Sequence, residues 1–263
     1  MTFTDLIKNF FTHKDFLPPA NEIPGTMFTP LHFIFSVICI AIVVICAIIV
    51  SKKDEKTIKI VFTVIWGFLA VAEPTKILWE TFSGKTVNFF AQGMLPLYPC
   101  SIFLYAMPFV IWGNKYLKRA GCGYVCTLGL LGGSINFIYP ATILGNYSCI
   151  SFAGFHTFIY HGSMVFTALV LLLSGMHNYK DVKTVKQLVA PIIPFALVSI
   201  VANIVNFKIN ADYMFFRLNS FIFAPIGAAL PLPVCVLSVY IGYVIIHTVP
   251  YLPSFIKNKL ADK

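Results

Sequence analysis

Among the residues of this sequence that can do covalent chemistry, one thiol and one imidazole stand out for where they fall. Cys100 follows two prolines in the run Leu95, Pro96, Leu97, Tyr98, Pro99, Cys100, Ser101. Proline lacks a backbone donor and opens a helix rather than continuing one, so this run leaves backbone groups unpaired and puts the thiol at or just inside a helix N-terminus. The positive end of the helix dipole lies there and attracts an anion. His161, in the run FHTFIYHG at 155–162, is expected at a similar depth on another helix. An imidazole within hydrogen-bond reach of the thiol would complete an activated nucleophile. The same residues admit two other readings: a buried structural cysteine beside a hydrogen-bonded histidine, and a metal site drawn from His32, Glu73, Cys100 and His161.

Other polar residues sit in equally apolar surroundings. Ser199, Asn203, Asn206 and Asn210 recur at i, i+4, i+7 and i+11, which places them on one face of a helix. Lipid does not tolerate such a face, so it must point into a bundle or a wet cavity, and hydrogen bonding between helices would satisfy it as well as a ligand would. Glu73, Lys76 and Glu80 share a face by steps of three and four. That spacing permits an internal ion pair, while solvated residues at a helix end would explain Lys76 and Glu80 equally. A charge at the centre of a membrane helix costs at least about 2.5–3.5 kcal/mol, so Glu73 needs a partner.

The elements carrying these residues follow from composition. Of 263 residues, 58% are hydrophobic and 11% charged, too few charges for a water-exposed surface. Apolar residues come in blocks of about 20, enough for a helix to cross roughly 30 Å of hydrocarbon, and they do not alternate as barrel strands would. The sequence predicts an all-α, polytopic bundle of about seven transmembrane helices, near 30–50, 58–79, 95–113, 121–143, 155–175, 188–207 and 221–247. One membrane domain covers 30–250, with a cytoplasmic basic tail at 251–263. Residues 1–29 form either a short interfacial helix through Phe3, Leu6, Ile7, Phe10 and Phe11 or a loose tail.

A net charge of +9 raises nucleic acid as a partner, but the basic residues alternate by loop. Thirteen of nineteen Lys and Arg fall in the first, third and fifth loops and the C-terminal tail, among them Lys52, Lys53, Lys118, Arg119, Lys183 and Lys257. The positive-inside rule then puts the N-terminus outside and the C-terminus in the cytoplasm of a cell-membrane protein, with no nucleic-acid role. His32, Cys100, His156, His161, Glu73, Asn136, Asn203 and Asn206 all fall in the outer half of the bilayer. His247 lies near the cytoplasmic end of the last span and reads as a snorkelling interfacial residue. Seven cysteines without CxxC spacing do not read as a disulfide scaffold. Cys122, Cys126, Gly129 and Gly133 give the fourth span a narrow face for close packing.

LPLYPCS resembles the LPLxLCS element of the YwaF-like bacterial integral membrane proteins, a group related to a eukaryotic transmembrane acyltransferase of ether phospholipids. Further similarities follow in order: His32 opening the first span, Glu73 late in the second, GLLGGSINFIYP at 129–140, FHTFIYHG at 155–162 and VANIVNFKINADYMFF at 201–216. The resemblance covers nearly the whole membrane region. It departs at Tyr98 and Pro99, and at Asp212, where NYM-type members carry Asn. It implies a seven-helix fold in which Cys100 accepts an acyl group and His161 is its base. His32, Glu73, Asn203, Asn206, Asn210 and Tyr213 are then supporting or substrate-binding residues, with no cofactor and no resident metal. The expected activity is acyl transfer to, or hydrolysis of, a phospholipid or lysophospholipid in the outer leaflet. A small transporter is the alternative, since a polar cluster in a Pro- and Gly-interrupted bundle also describes a solute site, although no internal repeat is found. A non-catalytic lipid-binding scaffold is the third reading.

Overall fold

The computed structural model describes residues 2–87, 95–218 and 224–261. The short α1 (Phe3–Lys8) is followed by two single 3-10 turns and then α2 (Pro30–Ser51), which starts where the Thr29 hydroxyl accepts from His32 N and Pro30 takes the first helical position. The 28-residue α3 (Glu55–Phe82) begins at Asp54, whose carboxylate accepts from Thr57 N at 3.0 Å. After α4 (Ile102–Trp112) come α5 (Lys115–Tyr124), a π-helical turn at Val125–Gly129, α6 (Leu130–Ile138) and the one-turn α7 (Ala141–Leu144). The chain continues through α8 (Phe152–Leu173), α9 (Val185–Val189), a 3-10 turn, α10 (Ile193–Ile209), α11 (Ala224–Ala229), α12 (Leu232–Thr248) and α13 (Leu252–Ala261). No strand forms among the described residues.

Among the described residues six helical segments are long and apolar enough to cross a membrane: 30–51, 55–82, 115–144, 152–173, 185–209 and 232–260. The chain is a multi-pass helical membrane protein. The third expected span is the exception. Its helix holds 11 residues, about 16 Å at 1.5 Å per residue, because the prolines at 96 and 99 keep 95–101 out of it. The seventh expected span also changes: 221–223 lie outside the described residues, 224–229 form a separate helix, and the crossing helix starts at Leu232.

Helix α8 is the hub. Most of its side chains from Ala153 to Leu171 are buried, and it packs against α2, α3 and α6. Where α6 crosses α8, Gly133 is the reason for the close approach: a methyl group there would lie 2.9 Å from the His161 carbonyl oxygen. Cys122, Cys126, Gly129 and Gly133 are all buried, as a packing face requires, although the π turn breaks their helical phase. Helices α3 and α5 start at the same end of the bundle, where Glu55 pairs with Lys118 at 2.7 Å. Proline 108 inside α4 frees the Leu104 carbonyl, which accepts instead from the Trp66 indole at 3.0 Å.

Residues 2–29 hold the short helix α1 over part of the expected stretch and continue through ordered turns. They form a cap over the ends of α3 and α8. Phe152 N donates to Phe10 O at 2.9 Å, the Trp79 indole to Phe11 O at 3.2 Å, and Cys149 N to Gly25 O at 2.8 Å. Leu6 and Ile23 are buried beneath it. The C-terminal segment is likewise a packed helix, with Asn258 Nδ2 donating to Val182 O at 2.9 Å; residues 262 and 263 lie outside the described residues.

Candidate functional site

The 95–101 segment gains from tyrosines what its prolines deny it. Tyr105 OH donates to Pro96 O at 3.2 Å, Tyr124 OH to Pro99 O, and Tyr160 OH to Cys100 O at 3.4 Å. Tyr213 OH accepts from Leu95 N at 3.0 Å. Four tyrosines from four elements therefore hold a stretch of irregular backbone inside the bundle, where each unsatisfied group would be costly. The turn closes as Ser101 N donates to Tyr98 O at 2.9 Å and Phe103 N to Cys100 O at 3.1 Å. Among the described residues the Cys100 N–H makes no backbone hydrogen bond. Cys100 thus sits on the last residues before α4.

The Cys100 sulfur and the His161 backbone each border one of the adjacent glycines Gly132 and Gly133 of α6. A methyl group at Gly132 would lie 3.5 Å from Cys100 Sγ and 3.9 Å from Met164 Cε, while Gly133 abuts the His161 backbone. The His161 ring is buried, and its Nδ1 lies 2.8 Å from Thr157 O. A carbonyl can only accept, so Nδ1 carries the proton and Nε2 keeps its lone pair, the tautomer that a general base requires. Among the described residues no hydrogen bond joins the Cys100 thiol to His161. What links them is indirect: the adjacent glycines of α6, and Tyr160, next to His161 in α8, which donates to the Cys100 carbonyl.

Glu73 pairs with a histidine, but with His156. Its Oε2 lies 3.2 Å from His156 Nε2, off the axis of a hydrogen bond, and both side chains are mostly buried. Glu73 is within electrostatic reach of His156, Lys76, His161 and Cys100. Sequence reasoning did not place His156 in the site. His156 and Tyr160 share a face of α8 at i, i+4, a spacing that does not by itself tie either to Glu73. Lys76 and Glu80 form the internal ion pair, 2.5 Å apart and mostly buried, and Lys14 from the cap joins them at 3.3 Å.

The remaining supporting residues hold structure. His32 is fully buried, with Nδ1 accepting from Phe28 N at 3.2 Å in a turn where Phe28 has φ +67°. Among the described residues no hydrogen bond joins it to Glu73 or His161. Asn203 gives both amide protons away, to Ser199 O at 3.0 Å and Tyr240 OH at 2.8 Å. Asn206 imitates a peptide bond: Nδ2 donates to Tyr213 O at 2.9 Å and Oδ1 accepts from Tyr213 N at 2.8 Å. Asn210 ends α10 at φ +54°, and its Oδ1 accepts from Arg217. The polar stripe therefore folds the 210–217 loop back so that Tyr213 reaches Leu95. Asp212 serves the same loop, accepting from Arg217 N at 2.7 Å. Among the described residues no group of three or more His, Cys, Asp and Glu converges as a metal site needs.

At the opposite end His247 is fully buried, its Nδ1 2.6 Å from Thr127 Oγ1 in the π turn, so it does not snorkel. Thr127 already gives its proton to Gly123 O at 2.7 Å, and the pairing fixes α12 against the irregular turn.

The chain matches no curated protein and no solved structure. A family model does match, from residue 27 to residue 258, which takes in the tyrosine-held segment, Cys100, both histidines of α8 and the loop that carries Tyr213. On that match the chain belongs to the TMEM164 family.

Proposed function

We propose that this protein is a membrane-embedded lipid acyltransferase, or a lipid hydrolase when water is the acceptor, with Cys100 as nucleophile and His161 as base. The observation that carries the reading is the preparation of both groups. Cys100 rests on backbone held by four tyrosines, and His161 is fixed in the tautomer with a free Nε2. Nε2 takes the thiol proton, sulfur attacks the acyl ester carbonyl, and a carbon–sulfur bond forms. As the tetrahedral adduct collapses, the carbon–oxygen bond breaks and the lysolipid oxygen takes the proton back from His161. A second hydroxyl, from a lysophospholipid or water, then gives its proton to Nε2 and attacks the thioester, releasing the thiol.

With Asn203 and Asn206 occupied elsewhere, we assign the oxyanion to the Cys100 N–H at the N-terminal end of α4. The thiol is not bonded to His161 at rest, as is common before substrate binds. The outer leaflet is the proposed side, following the charge asymmetry of the loops. An impermeant amine reagent on intact cells should label Lys8 and spare Lys52; the reverse labelling would invert this topology.

Acyl transfer between phospholipid and lysophospholipid in proteoliposomes tests the chemistry. Cys100→Ala should abolish it, and His161→Gln should slow it by about 10²–10⁴, the usual contribution of a positioned base. Activity surviving Cys100→Ala would rule out the thiol.

A further inference from the structure

On its outward side, the polar pair of α3 and α8 borders an apolar groove of about 490 Å³, within the roughly 300–1,000 Å³ of ordinary ligand sites. Phe68, Ala72 and Thr75 form one wall; Phe155, His156 and Ile159 form the other. Phe68, Phe155 and Ile159 are substantially exposed, so the groove opens sideways onto the hydrocarbon. A second groove of about 350 Å³ continues from it between α2 and α8, sharing Phe155 and Ile159.

A gap between two helices that merely admits surrounding lipid has no use for a buried imidazole at its end. This one ends on His156, whose side chain is nine-tenths buried and whose Nε2 has no hydrogen bond, with Glu73 behind it. One turn further along the same face of α8 is Tyr160, which holds the Cys100 carbonyl. We infer that the α3/α8 groove is the acyl-chain site of the substrate phospholipid: the tail lies along Phe68, Ala72 and Ile159, and the ester meets His156 beside the thiol. The substrate enters from the side, without leaving the bilayer. The identity of the lipid as substrate rests on the acyl-transfer reading; the groove as a chain site does not.

Phosphatidylcholine bearing a photoactivatable group in one acyl chain, doped into nanodiscs holding the full chain, separates the two. Crosslinks should concentrate at Phe68, Phe155 and Ile159 over Leu237 and Ile241, which are exposed apolar residues of α12 away from the groove. Ala72→Trp, which fills the groove, should cut that labelling about tenfold, a loss of roughly 1.4 kcal/mol, while Val64→Trp lower on α3 leaves it unchanged. Ala72→Leu carries the same test should the larger residue unfold the protein. Cys100→Ser should retain the labelling while losing transfer. Labelling spread evenly over the lipid-facing helices, or indifferent to both Ala72 substitutions, overturns the groove and leaves the nucleophile untouched. Groove labelling joined to transfer that ignores Cys100 would do the opposite.

Discussion

His161 and Cys100 each lie against a residue that has almost no side chain. Gly133 lets α6 lie against the His161 carbonyl, and Gly132 leaves room for the Cys100 sulfur. The two glycines should therefore respond differently to one added methyl. In Gly133→Ala the new carbon would meet His161 O and Val165 Cγ2 at 2.9 Å, so the helices must part, at a cost of about 1–3 kcal/mol. In Gly132→Ala it meets sulfur at 3.5 Å, an ordinary contact, and stability should hold. Thermal unfolding in detergent reads the contrast; equal melting temperatures for the two variants would contradict this packing. Much of this scale was legible in advance. Cys100, His161 and Glu73 are apolar-segment residues whose chemistry needs explaining from type alone. The partner of Glu73 was not legible, because whether His156 or Lys76 faces it depends on how α8 is rotated against α3, which no spacing within α3 reports.

At the scale of elements, the asparagine stripe of α10 acts at a distance from the thiol. Asn206 clamps Tyr213, Tyr213 holds Leu95, and the Leu95 to Ser101 segment presents Cys100. Tyr213→Phe removes the acceptor of a part-buried backbone N–H, a loss of up to about 1–3 kcal/mol. Its first consequence should be lower acyl transfer from a folded protein, measured beside the unfolding temperature; unchanged transfer would mean that the segment is held without Tyr213. The sequence showed that the stripe must face inward, since lipid excludes it. It did not show that the recipient was a loop of the same chain, because a peptide-like pairing seven residues apart needs the left-handed turn at Asn210. Farther away, the loop after α8 is tied to the 3-10 turn that follows α12 by His177, whose Nε2 lies 2.7 Å from Tyr251 OH. Burial, with the Arg119 guanidinium nearby, pushes this imidazole down to about 4. The unfolded chain, near 6.5, binds the proton first, so the stability held by neutral His177 is complete above about pH 6.5 and drains away as pH falls toward 4. Unfolding temperatures at pH 7 and pH 5 should diverge more in the wild type than in His177→Gln, and parallel shifts would remove His177 as the cause.

Across the whole molecule, hydropathy and charge sufficed for an all-helical, multi-pass bundle, because the length of an apolar block and the thickness of a bilayer are the same physical quantity. They misjudged the third span, since Leu95 to Ser101 is as apolar as a helix while its prolines forbid one. They also missed the order in the N-terminal cap, which is built from single hydrogen bonds to three distant elements and has no periodicity to read. The irregular backbone, the tyrosines and the glycine crossing all converge on one sulfur atom. Mass spectrometry of the purified protein, incubated with a phospholipid carrying a mass-labelled acyl chain and then digested, addresses that sulfur directly. The account predicts a hydroxylamine-sensitive acyl adduct on the peptide containing Cys100, retained longer in His161→Gln and absent in Cys100→Ala. An adduct on another residue, or one that persists in Cys100→Ala, would contradict it.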